Sequence, residues 1–325
     1  MKNKLLHIMM GTHNPDLQKG LDSVFQCLHY DWTAHGINSY PLQSELLTVF
    51  HHFQPDIVFM HLQSGEVLNI ETIKKMSESS KVLNWTGDVR YPLPQHFIDI
   101  GRYIDSTLFT NVNDIDTCKQ NGVKADYLQV GFDSNHFNPL GKFDENNSKY
   151  PEIIFMGSNY GEAAFPLSSL RHQMVHRLKK EFGNRFGVYG NGWSGLESGN
   201  ITSYEEEGLA YRSCKIAINL SHFAYKRYSS DRMYRILGSG ALCLSHHYPD
   251  IEMDFEIGKD LVVWENIDDL VSKIKKYLLC ESDRGIIALN GCLKARTKFT
   301  WHHFAENLKE LSDKIKTKKT QEIIN

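Results

Sequence analysis

Short, nearly unbroken apolar runs alternate with helical stretches along this chain, and the alternation stops once and then begins again. LLHIMMG (5–11), DIVFMHL (56–62), KVLNWTG (81–87), STLFTN (106–111) and DYLQVGF (126–132) read as strands. Runs of this kind suit strands covered on both faces of a parallel sheet. Helices between them argue for right-handed βαβ units. A helix is expected from Pro15 to Tyr30, capped by Asn14 and opened by Pro15. Residues 131–152 then break the pattern. They are rich in Asn and Asp and include Pro139, Gly141 and Pro151, which is linker chemistry.

The second half restarts with EIIFMGS, the helix SSLRHQMVHRLKKEF, RFGVYGN, KIAINLS, ALCLSHH and DLVVW. Leu170, Met174, Leu178 and Phe182 give that helix one apolar face to lay on a sheet. Helices are expected over 267–279, 283–298 and 301–316, followed by a basic tail. The chain therefore reads as α/β, with two Rossmann-like, doubly wound domains: residues 1–140, residues 150–300, and a closing helix and tail over 301–325.

Composition narrows the classes. The hydrophobic fraction of 41% and aromatic fraction of 11% are those of a globular chain. A formal net charge of −3 provides no general attraction to nucleic acid or anionic membrane. No apolar run approaches the roughly 20 residues that span a bilayer. The start is expected to be the first strand rather than a signal peptide. Cys27, Cys118, Cys214, Cys243, Cys280 and Cys292 show no C-x-x-C spacing. They read as reduced thiols, which places the chain in the cytoplasm. The pairs His51-His52, His246-His247 and His302-His303 lack metal-ligand spacing, because adjacent side chains diverge. No metal site is expected.

Strand ends that open into Gly, Ser and Asn, beside an Arg-bearing segment, suit a nucleotide diphosphate. Gly157, Ser158 and Asn159 follow the first strand of the second half. Their backbone N–H groups are expected to meet the diphosphate, with an ordinary turn as the alternative. Lys226, Arg227 and Arg232 are candidate phosphate cations, or else a solvated basic face. Ser229 and Ser230 read as an N-cap pair for the helix holding Arg232 and Tyr234. Tyr189, Gly190, Asn191 and Trp193 follow the next strand, where aromatic rings stack on a base or pack the domain edge. Thr202 and Ser203 line the base pocket or cap a helix, while Asn219 and Ser221 end a third strand. In the first half, Gly11, Thr12 and His13 follow one strand and Trp85, Gly87 and Asp88 close another. Asp88 and His13 are candidate bases for an acceptor hydroxyl; turn and capping roles are the alternative.

Several blocks, in order, resemble one group of proteins. VGFDSNHFNP (130–139) is similar to the signature closing the first domain of many GT-B glycosyltransferases. IIFMGSNYG, VYGNGW, CKIAINLS and SSDRMYRILGSGALCL resemble the donor-binding domain of the CgeB-like, spore-maturation-type branch, over about residues 126–310. WTGDVR (85–90) is similar to a Trp-x-x-Asp element of that group. Arg235 stands where the family commonly has Glu.

The resemblance implies a GT-B fold and a metal-independent glycosyltransferase. Its second domain would hold a nucleotide-diphosphate sugar, a UDP- or GDP-sugar being the expected donor. The donor is a substrate, and no cofactor is expected. The first domain would hold a glycan, lipid-linked or other hydroxyl acceptor. Two other readings stand beside it: a DNA-modifying sugar transferase acting on hydroxylated bases, and a nucleotide-sugar binding protein that has lost turnover.

Overall fold

The computed structural model describes residues 2–11, 15–140 and 149–315. The chain divides into two compact units. The first comprises residues up to Gly131 together with the chain from Trp301, and the second runs from Phe132 to Thr300.

Unit 1 contains β1 (Lys4–Met9), α1 (Pro15–Val24), β2 (Gln26–Asp31), α2 (Tyr40–Phe53), β3 (Ile57–Met60), α3 (Ile70–Ser77), β4 (Lys81–Thr86), α4 (Gln95–Gly101), β5 (Ser106–Phe109), α5 (Val112–Gln120) and β6 (Ala125–Tyr127). The strands form one parallel sheet in the order β2-β1-β3-β4-β5-β6. Strand alternation sorts neighbouring residues to opposite faces. Leu6, Ile8, Val58, Met60 and Val82 join α2 and α3 on one side. Leu5, Ile57, Phe59, Leu83 and Trp85 join α1 on the other.

The helix expected over Pro15–Tyr30 ends at Val24, and β2 takes its remainder. Leu17, Leu21, Phe25 and Leu28 continue a helical spacing, yet Leu28 pairs in register with Leu6 of β1. Ladder pairing outweighs local periodicity at this sheet edge.

Unit 2 contains β7 (Ile153–Met156), α6 (Ser168–Phe182), β8 (Phe186–Tyr189), α7 (Tyr204–Ser213), β9 (Ile216–Asn219), α8 (Asp231–Gly238), β10 (Leu242–His246), β11 (Val262–Trp264), α9 (Ile267–Leu279) and α10 (Glu281–Lys298). Its parallel sheet runs β11-β10-β9-β7-β8. Phe155, Ile218 and Leu244 pack under α6 and α9. Helix starts follow the sequence: Asn111, Ser203 and Asn266 accept the N–H of Asp114, Glu206 and Asp269 at 2.8, 3.1 and 3.0 Å.

Both sheets share one topology. β1 and β7 each open their sheet, the next strand lies on one side, and all later strands lie on the other. The switch points therefore fall between β1 and β3 and between β7 and β9. Crevices outside the carboxyl ends of such strands are where doubly wound sheets take ligands.

The last described helix, α11 (Trp301–Lys314), belongs to unit 1. Trp301, Phe304, Ala305 and Leu308 enter the same core as Phe59 and Trp85. Gly20 of α1 makes this docking close, because a Cβ there would lie 2.5 Å from the Trp301 carbonyl oxygen. Backbone cannot retreat as a side chain can, so Gly20→Val should overpack the contact. We expect a stability loss of about 1–3 kcal/mol in urea unfolding. An unchanged midpoint would contradict the tight docking of α11.

Candidate functional site

The carboxyl ends of β7 and β9 present a row of backbone carbonyls at the switch point of unit 2. Two guanidinium groups occupy it. Arg232, on the first turn of α8, donates from Nε to the Met156 carbonyl and from Nη1 to the Leu220 carbonyl at 3.1 Å. Arg171, on the first turn of α6, donates from Nη2 to the same Leu220 carbonyl at 2.6 Å and from Nη1 to the Ser158 carbonyl at 3.2 Å. Both guanidinium centres lie over the Phe155 ring, at 5.5 and 5.4 Å from its centroid.

Gly157 separates them. A Cβ at that position would meet Arg232 Nη2 at 3.1 Å and Arg171 Nη1 at 3.4 Å. Among the described residues, no carboxylate forms an ion pair with either arginine. Arg171 is buried, and its Nε has no hydrogen-bond partner among the described residues. Burial and the Arg232 cation push the Arg171 pKa down to about 9, so the group keeps its charge at neutral pH. Carbonyl dipoles hold the two cations in place, but they carry no net charge to neutralise them. Buried charge of one sign calls for an anion.

His222 completes the arrangement. Its Nε2 lies 2.9 Å from Arg171 Nη1, which can only donate, so the imidazole proton sits on Nδ1. That Nδ1 is buried without a partner among the described residues. Burial, then Arg171 and Arg232, lowers the His222 pKa to about 3.

Other expected donor residues sit elsewhere. The backbone N–H groups of Gly157 and Asn159 do not face a ligand. They donate to the Tyr189 and Asn191 carbonyls at 2.7 and 2.8 Å and so extend the β7–β8 pairing. Gly190, at φ 132°, allows that approach, since a Cβ there would lie 2.7 Å from the Gly157 carbonyl. Ser158 Oγ accepts the Asn191 N–H.

Trp193 is a core residue rather than a stacking ring. It is buried, and its indole N–H donates to the Gly157 carbonyl at 2.7 Å. Tyr189 is buried too, and Tyr234 packs against the stacked rings of Phe255 and Phe299. Arg227 is engaged elsewhere, in a two-pronged contact with Asp254 at 2.8 and 2.7 Å. Lys226 is exposed.

Ser203 caps α7, while the Thr202 N–H donates to Glu206. Asn219 is buried and donates to the Ser229 and Ser245 hydroxyls. Ser221 Oγ accepts the Ser230 N–H, and Ser230 Oγ accepts from Arg232. Ser230 is the α8 cap residue, but its side chain makes no capping bond. Arg235 is engaged as well. Burial opposes its charge, but Asp231 at 2.6 Å and Glu207 at 3.1 Å outweigh burial and keep it protonated.

In unit 1, Thr12 and His13 lie outside the described residues. Gly11 donates its N–H to Asp31 at 2.7 Å. Trp85 is a core residue: it is buried, and its indole N–H donates to the Leu128 carbonyl at 3.0 Å. The Gly87 carbonyl accepts from Thr110. The Asp88 side chain is 71% exposed and lies 3.6 Å from Arg90. His61, which the sequence reading does not single out, follows β3 beside the switch point of unit 1. Burial lowers its pKa to about 4, against the pull of Asp88 and with the push of Arg90.

Arg171 was also missed. Its signal was a cation at the end of the buried stripe formed by Met174, Val175, Leu178 and Phe182. Its neighbour Leu170 was read as part of that apolar face.

Residues 171–310, which include both arginines, match a family described as "Glycosyl transferase-like". No curated protein sequence matches the chain. HepE of Anabaena, solved in complex with UDP-glucose, superposes with a TM-score of 0.68 at 11% identity, over 96% of this chain and 100% of that one. A glycosyltransferase from Rickettsia africae ESF-5 gives 0.67 at 13% identity, over 96% and 98%. Sucrose-phosphate synthase from Thermosynechococcus elongatus gives 0.64 at 10% identity, over 95% and 98%. The fold is GT-B, and the chain carries a glycosyltransferase-type domain. No described helix is long and apolar enough to cross a membrane.

The His222 tautomer has a measurable consequence. The free imidazole titrates near 6.5, whereas His222 in the fold titrates near 3. Between those values the unfolded chain holds a proton that the folded chain does not. Stability from this group is complete above about pH 6.5 and falls as pH is lowered. Thermal midpoints measured from pH 7 down to 4.5 should therefore fall less steeply for His222→Gln than for wild type. Parallel slopes would show that His222 is not held neutral.

Proposed function

We propose that this protein transfers a hexosyl group from a nucleotide-diphosphate sugar to an acceptor hydroxyl, with Arg171 and Arg232 holding the diphosphate in place of a metal. One observation carries the reading. Two charged guanidinium groups share a switch-point crevice with no carboxylate partner among the described residues, inside the segment that matches the glycosyltransferase-like family. A diphosphate supplies the missing negative charge and accepts charge-assisted hydrogen bonds from both.

The reaction breaks the bond between the anomeric carbon and the diphosphate oxygen and forms one to the acceptor oxygen. The leaving diphosphate gains charge as it departs, and preorganised cations stabilise it most at that moment. Because the GT-B neighbour HepE was solved with UDP-glucose, a UDP-sugar is the first donor to test, followed by a GDP-sugar. The acceptor is a glycan, a lipid-linked sugar or another hydroxyl compound. The free thiols suit a cytoplasmic enzyme. The ordered blocks from EIIFMGS to SSDRMYRILGSGALCL support the CgeB-like branch.

If transfer inverts the anomeric centre, the acceptor proton needs a base. Asp88 is our candidate, with His13 as the second. Asp88 lies two residues beyond β4 in unit 1, and its carboxylate is open to solvent.

Two measurements test this. Arg232→Ala and Arg171→Lys should each weaken UDP binding by about 1.5–3 kcal/mol while leaving uridine binding unchanged. Equal losses for uridine would trace the effect to folding. Asp88→Asn should lower kcat by roughly 10²–10⁴-fold with little change in donor affinity. Full activity in that variant would remove Asp88 from the mechanism.

A further inference from the structure

The loop leaving β7 carries an aromatic ring that the fold supports but does not cover. Tyr160 is 63% exposed. Its ring meets Phe165 at a right angle, with centroids 5.6 Å apart, and His222 at 5.3 Å. Phe165 in turn lies 4.4 Å from His222 and 5.7 Å from the buried Phe223.

The backbone on either side is fixed. Asn159 donates its N–H to the Asn191 carbonyl and its side-chain amide to the Gly192 carbonyl. Its side-chain oxygen accepts the Gly161 N–H, and the Leu167 N–H returns to the His222 carbonyl. The exposed ring is therefore part of a built wall. That wall adjoins the cation pair, because the His222 ring beneath Tyr160 accepts from Arg171, and the Ser158 carbonyl, two residues before Tyr160, accepts from Arg171 as well.

We infer that Tyr160, backed by Phe165 and His222, is the floor of a hexosyl subsite, on which the apolar C–H face of the donor sugar packs. This rests on the diphosphate reading above. The sugar is bonded directly to the second phosphate, so a ring next to the Arg171 guanidinium lies within reach of a pyranose. An aromatic face suits the C–H side of a sugar and leaves the hydroxyls free for other partners. The role divides the donor between two chemistries: charge holds the diphosphate, and apolar contact reads the sugar.

Isothermal titration of wild type, Tyr160→Ala and Tyr160→Phe with UDP and UDP-glucose tests the subsite, with GDP and GDP-mannose run in parallel. We expect Tyr160→Ala to bind the sugar nucleotide roughly three- to tenfold more weakly and the bare diphosphate as wild type does. Tyr160→Phe should match wild type for both. Equal losses for diphosphate and sugar nucleotide, or no loss, would overturn the subsite and leave the diphosphate site standing. A loss in Tyr160→Phe as large as in Tyr160→Ala would assign the effect to the hydroxyl and overturn packing on the ring. Wild-type protein that binds neither diphosphate would overturn the diphosphate reading and the subsite together.

Discussion

Parallel strand pairing is the constraint on which the rest of this structure depends. A parallel ladder needs a crossover after every strand, and the helices that make those crossovers cover both faces of each sheet. Access to the backbone then survives at the sheet edges and at the strand ends. At the carboxyl ends of β7 and β9, the carbonyls of Met156 and Leu220 point out of the ladder and need donors. Arginine meets that need with several donors fixed in one plane, and it brings a charge that the carbonyls do not cancel. The same residues that complete the strand ends thus create a demand for an anion.

The two arginines also explain why unit 2 needs Gly157. Sequence alone suggested that this glycine lets phosphate approach the backbone. Its N–H instead bonds Tyr189, and the space above its Cα belongs to the guanidinium groups. Arg235 shows the opposite case. Its charge is matched by Glu207 and Asp231, so it makes no comparable demand for an anion. Cations close together on α8 therefore differ in function because of what surrounds them, which a count of basic residues does not reveal.

Much of the fold was legible because fully buried strands show as apolar runs: IIFM, FGVY and IAIN each emerged as β7, β8 and β9. β2 was hidden because QCLHYD is half-exposed and continues the spacing of α1. Within the site, Arg232 was legible from its place after Ser229-Ser230. Arg171 was not, because an amphipathic helix with an arginine reads as snorkelling at the edge of its apolar face. Aromatic residues misled for a physical reason. Trp85 and Trp193 each use the indole N–H on a buried carbonyl, and sequence does not indicate which way a ring turns. Tyr160, by contrast, sits in a Gly- and Asn-containing turn that draws attention to its neighbours.

The position of α11 ties the maturation of one unit to the completion of the other. The ribosome emits all six strands of unit 1 before residue 132, yet the helix that covers Phe59 and Trp85 begins only at Trp301. A nascent chain has only α1 on that face of its first sheet, with the part that α11 covers left open, while all of unit 2 is translated. Synthesis at roughly 5–20 residues per second makes this a delay of many seconds. During that time the open part of the face is a natural client for chaperones, and a chain stalled anywhere in unit 2 carries a first unit without its last helix.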